Sequence, residues 1–259
     1  MTTLTWIVLF TLLGGVLSVL AASVIFLLSD AARLKALPHG VSFATGALLG
    51  VSFLALIPHA MEDVGPGQIH NLSMTILIGV FVFFLLEKMV LWRHCHHDHC
   101  EGHLHVEDHS HKSAGTLILV GDSIHNFVDG ILIAAAFLTD IHLGVVTSLA
   151  VAAHEIPQEV GDFAILLQSG FSKAKAMLYN IISSLATLVG GLLAYFWLAD
   201  LQHMLPYILA FAAASFIYIA VADLIPSLHK RVHLGAVIEQ VVLIAMGAGL
   251  ISWLHSYTH

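Results

Sequence analysis

The sequence predicts an all-α membrane protein with eight transmembrane helices in a 3+2+3 arrangement. Three observations carry this. Of 259 residues, 58% are hydrophobic and only 10% are charged. A soluble domain carries roughly 25% charged residues, so lipid must cover most of this surface, and in lipid only a helix or a closed barrel satisfies its backbone. The apolar residues fall in runs of roughly 20, the length of a membrane-spanning helix. Finally, eight spans place all nine Lys and Arg on one side.

The first span, about 5–28, follows M-T-T-L-T-W, which lacks a basic stretch and a small-residue cleavage site. It reads as a retained helix rather than a signal peptide. The others are expected at about 40–61, 70–92, 115–138, 143–168, 176–198, 204–227 and 236–256, in one transmembrane domain. Only the connection at about 93–114 is long. Arg33 and Lys35 follow span one, Lys88 and Arg93 end span three, and Lys112 lies in the long loop. Lys173 and Lys175 follow span five, and Lys230 and Arg231 follow span seven. The opposite loops carry Glu62, Asp63, Asp140 and Asp200 and no basic residue. The basic side is therefore expected in the cytoplasm and both termini outside. A compact chain of this kind suggests a bacterial inner membrane. Span two ends L-A-L-I-P-H (54–59) and span seven ends A-D-L-I-P-S (222–227), running in opposite directions. That echo is the expectation for an inverted repeat of spans 1–3 and 6–8.

Charged groups inside a span cost roughly 2.5–3.5 kcal/mol each at its centre. Spans four and five concentrate them. Span four reads G-D-S-I-H-N-F-V-D-G, with Asp129 four residues after His125 and three after Asn126, and Asp122 one turn before Asn126. Span five reads A-A-H-E-I-P-Q-E-V-G-D. In it His154 and Gln158 share a face, as do Glu155 and Glu159, and Asp162 extends the row. Gly130 and Gly161 are expected to let these two helices approach closely. Imidazoles, carboxylates and amides at one depth, with no Lys or Arg to neutralise them, call for a divalent cation. Zn²⁺ is the expected substrate, with Fe²⁺, Mn²⁺ and Cd²⁺ as further ones. Isolated span serines such as Ser18, Ser52, Ser148 and Ser183 are read as interhelical hydrogen-bond donors.

The long loop holds His94, Cys95, His96, His97, His99, Cys100, His103 and His105, then His109 and His111. It reads as a disordered cytoplasmic linker that also chelates metal. A path is expected from His59, Glu62 and Asp63 outside, through the site, past Glu159, Asp162, Asp223 and His229 to the cytoplasm. The net charge of -8 argues against nucleic acid. Metal ions, lipid and a second copy of the chain, as a homodimer, are the expected partners.

These motifs resemble the ZIP (Zrt-/Irt-like protein) family of metal transporters. H-N-F-V-D-G (125–130) is similar to its fourth-helix motif, and H-E-I-P-Q-E-V-G-D-F-A-I-L (154–166) to the fifth-helix signature of its His-Glu-x-Pro-His-Glu subfamily. F-L-L-E-K (84–88) and F-I-Y-I-A-V-A-D-L-I-P (216–226) also look like that subfamily. Gln158 stands where the signature has His. The resemblance implies a two-metal site between spans four and five. His125, Asp129, His154 and Gln158 would hold one ion, and Asn126, Asp129, Glu155 and Gln158 its neighbour. It also implies uptake into the cytoplasm by an elevator-like, alternating-access movement. A metal exporter and a channel-like pore are the alternatives. An intramembrane metalloprotease is a further one, although H-E-x-x-Q lacks the second imidazole of that motif. The chain is otherwise not read as an enzyme.

Overall fold

The computed structural model describes residues 1–95, 109–198 and 200–256. It is helical throughout, and its helices join into eight rods among the described residues. The first rod is α1 (Thr3–Leu12), a π-helical stretch (Leu13–Leu17) and α2 (Ser18–Phe26). The second is α3 (Asp30–Val51), a π stretch (Ser52–Leu56) and α4 (Ile57–Glu62). Single helices α5 (Ile69–Cys95), α6 (His109–Thr139), α7 (Ile141–Gln168) and α8 (Lys173–Leu198) follow. The seventh rod is α9 (Leu205–Tyr218), a π stretch (Ile219–Leu224) and α10 (Ile225–Leu228), and α11 (Leu234–Ser256) closes the chain.

Seven rods are long and apolar enough to cross a membrane. The rod outside that set is α7, whose 28 residues are long enough but are diluted by His142, His154, Glu155, Gln158, Glu159 and Asp162. The second rod starts ten residues before its expected start at 40. Ser29 accepts a hydrogen bond from the Ala32 N–H as N-cap, and the helix formers A-A-R-L-K-A-L follow. Arg33 and Lys35 thus ride on the first turns of α3 instead of a loop. Helices also take both ends of the expected 93–114 loop. The loop ligands from His96 to His105 lie outside the described residues.

The two echo segments share one local form. In each, a π stretch ends two residues before a proline, Pro58 or Pro226. Proline has no N–H, and its ring clashes with the carbonyl four residues back; widening the turn relieves this. The packing is reciprocal too: α11 lies along α3 as α5 lies along α9.

The most extensively packed helix pair is α6 and α8. A Cβ on Gly130 would lie 1.9 Å from the Thr187 carbonyl oxygen, and one on Gly190 would lie 2.1 Å from that of Phe127. Gly130 therefore admits α8, not α7 as the sequence suggested. Gly161, the other glycine assigned to that contact, has nothing within 4 Å of its Cβ position. α7 packs between α6, α2 and α3. The larger of two apolar clusters, including Ile7, Leu48, Ile133, Leu143 and Phe216, packs these rods together, and a smaller one holds Phe163, Leu166 and Ala176.

Candidate metal site

α6 and α7 present their polar rows to each other. His125 and Asp129 face His154 and Glu155, and one donor atom from each lies within 4.8 Å of all the others. The His125 and His154 Nε2 atoms are 3.2 Å apart. His125 Nε2 stands 3.7 Å from Asp129 Oδ2 and 3.3 Å from Glu155 Oε1. His154 Nε2 stands 3.3 Å and 3.4 Å from the same two oxygens. A tetrahedral zinc with bonds of about 2.0–2.2 Å spaces its nitrogen and oxygen ligands about 3.3–3.6 Å apart. Five of the six separations, 3.2–3.7 Å, lie close to the edges of that tetrahedron, and the sixth, between Asp129 and Glu155, is within 4.8 Å.

The surroundings aim these groups inward. The His154 Nδ1 lies 3.2 Å from the Ala150 carbonyl. Donation there leaves the Nε2 lone pair toward the centre. Asp129, His154 and Glu155 are buried, and His125 is partly buried. No carboxylate oxygen of Asp129 or Glu155 accepts a hydrogen bond among the described residues. With both imidazoles neutral the cluster carries two negative charges, which a divalent ion balances.

Asn126 and Gln158 turn elsewhere. Asn126 Nδ2 donates to Asp122 Oδ1 at 3.0 Å, and its Oδ1 accepts from Thr187 Oγ1 at 2.7 Å. Gln158 Nε2 lies 3.4 Å from the same Asp122 oxygen, and Ser183 Oγ donates to the other Asp122 oxygen. Asp122 is thus a buried hub joining α6, α7 and α8. Ser183 and Thr187 belong to a row on α8, Asn180, Ser183, Ser184 and Thr187, all buried. Its three- and four-residue spacing was the available signal. The serines, read singly, concealed it.

The expected path residues flank the cluster without joining it. His59 is buried at the end of the second rod, with Nδ1 3.0 Å from the Ala55 carbonyl and its ring 5.1 Å from that of His255. Glu62 and Asp63 are exposed beside it. Asp140 caps α7, accepting from the His142 and Leu143 N–H groups at 2.8 and 2.9 Å. Partial burial opposes its charge, but those two bonds and nearby His142 and His59 prevail, holding its carboxyl below the usual range. Glu159 is fully buried, Asp162 half-buried, and Asp223 and His229 exposed.

The profile of the ZIP zinc transporter family matches residues 92–255, which include both site helices. The chain belongs to the ZIP family. This ZIP protein is 32% identical over 219 residues to zinc transporter ZIP13 of Pongo abelii, covering 80% of the chain and 63% of that relative. It is 30% identical over 271 residues to zinc transporter zipt-7.1 of Caenorhabditis briggsae, 81% of the chain and 69% of the relative. It is also 30% identical over 278 residues to a ZIP13 homolog of Drosophila melanogaster, 86% and 78% respectively. The chain thus spans just under two thirds of the first of these. Membership accounts for the apolar rods: this is an integral membrane protein.

Proposed function

We propose that this ZIP protein carries divalent transition metal ions, zinc foremost, into the cytoplasm through the site between α6 and α7. The tetrahedral spacing of His125, Asp129, His154 and Glu155 carries this reading, supported by the zinc-transporter relatives. All eight rods are read as spans. α7, at about 1.5 Å per residue, is long enough for a hydrocarbon core about 30 Å thick, and its neighbours cover its polar row. The nine basic residues then share the cytoplasmic side and the termini face outward. The matching π–proline turns and the reciprocal packing support an inverted repeat.

The acidic mouth formed by Glu62, Asp63 and Asp140 concentrates cations outside, and His59 lies beside it. An arriving ion exchanges its water for the four donors, whose two carboxylates cancel its charge. Asn126 Oδ1 reaches such an ion only by giving up the Thr187 hydroxyl, and the Gln158 amide is drawn through its nitrogen toward Asp122, so one ion at the four-residue cluster is the resting arrangement. The close α6–α8 contact makes these helices one body, suited to an elevator-like movement against the α3–α11 pair.

The test is uptake of Zn²⁺, Fe²⁺, Mn²⁺ and Cd²⁺ into proteoliposomes of known orientation. Saturable inward zinc flux that disappears in Asp129→Ala is expected. Outward-only flux would make this an exporter, non-saturating flux a pore, and undiminished flux in Asp129→Ala would displace the site.

A further inference from the structure

Beyond the four-residue cluster lies a second set of buried oxygens with no partner. Glu159 follows Glu155 by four residues on α7, hence on the same face and about 6 Å further along the axis. Its direction is toward Lys173 and Lys175, the basic side. Glu159 is 0% exposed, and neither carboxylate oxygen has a hydrogen-bond partner among the described residues. On α8, Asn180 is 1% exposed, and its Oδ1 likewise has no hydrogen-bond partner among the described residues. Asn180 Nδ2 donates to the main-chain carbonyl of Glu159 at 3.5 Å, which holds the amide beside this turn of α7. An unpaired buried carboxylate is among the most costly groups a membrane protein can hold. The Asp122 hub does not relieve it. The hub's carboxylate already serves Asn126, Gln158 and Ser183, and it adds charge of the same sign.

We infer that Glu159 and Asn180 form a second cation site, built of oxygen donors only, on the basic side of the α6–α7 cluster. The carboxylate supplies two oxygens and the amide one, and water completes the shell. Oxygen-only sites suit harder ions such as Mn²⁺, whereas mixed imidazole and carboxylate sites suit Zn²⁺. Such a site gives an ion leaving Glu155 a place to rest one helical turn further on. That role rests on the transport reading above, but binding does not, so the two fail separately.

The experiment is a Mn²⁺ titration of the purified full chain preloaded with one equivalent of Zn²⁺. Bound Mn²⁺ is counted by electron paramagnetic resonance. The loop histidines are common to every variant and subtract out. The wild type should take up one Mn²⁺ that Glu159→Gln does not, with Asn180→Ala weakening it at least tenfold. Asp129→Ala should lose the zinc and keep the Mn²⁺. Equal Mn²⁺ binding by wild type and Glu159→Gln would overturn the proposal, as would no binding by wild type. An infrared band of a protonated carboxyl, absent from Glu159→Gln, gives a second readout should the titrated variants prove unstable. Loss of that band on adding Mn²⁺ supports the site. A band that Mn²⁺ leaves untouched makes Glu159 a buried neutral acid only and overturns it.

Discussion

At the scale of single residues, four side chains converge while two neighbours of like polarity turn away. Asp129 contributes half of its negative charge and sits against His154 at 3.3 Å. Asp129→Ala should therefore reduce zinc uptake to the level of empty liposomes while leaving the amount of inserted protein unchanged. His154→Ala removes a donor whose lone pair is aimed at the centre, and zinc affinity should fall about tenfold or more, a loss at least that of an outer-shell partner. Gln158→Ala should weaken zinc far less, because its amide is directed at Asp122. Calorimetric titration of the two variants side by side checks this, and equal losses would make Gln158 a ligand. The sequence showed which residue types meet, since His125 and Asp129, four apart, must share a helix face. It could not show that Asn126 and Gln158 turn to Asp122. That choice depends on Ser183 and Thr187, sixty-one residues from the groups they hold.

At the scale of elements, two features of α6 and α7 are open to test. Asp140 caps α7, and Asp140→Ala should cost about 1 kcal/mol, read as a lower melting temperature. The pH dependence has a definite sign. A carboxyl whose pKa is lower in the folded state stabilises that state above its unfolded value, about 3.9. The contribution fades as pH falls through the lower folded value. The deficit of Asp140→Ala relative to wild type should hence be full near neutrality and shrink in acid. The second feature is the glycine contact. Gly130→Ala drives a methyl into the Thr187 carbonyl and should abolish a monodisperse, folded product, whereas Gly161→Ala should be tolerated. Size-exclusion chromatography and melting curves distinguish them. Sequence reading assigned both glycines to one contact because helical periodicity reveals a face, not the helix that will cover it. The beginning of α3 escaped it for a related reason: Arg33 and Lys35 look like loop residues in a hydropathy count, yet they suit a capped helix.

Across the whole molecule, the rods were legible because lipid imposes apolar length on the sequence directly. The pairing of rods was not, because it depends on small residues and serines distributed over distant segments. Among the described residues, α6 and α7 alone build the four-residue cluster. Exchanging His96, His97, His99, His103 and His105 for Ser should therefore preserve most of the zinc flux in proteoliposomes. Complete loss would make the histidine-rich connection an obligatory part of the path.

The polarity of α7 also bears on how the chain is made. A nascent α7 emerging alone offers the translocation machinery a segment with three acidic side chains, unlike the seven rods around it. Its admission to the bilayer should depend on α6 being already in place and on α8 arriving behind it. Truncating the chain between α7 and α8 should leave a glycosylation or protease-accessibility reporter on the wrong side, and restoring α8 should correct it. The helix that holds His154 and Glu155 should thus be the one whose birth relies on its neighbours.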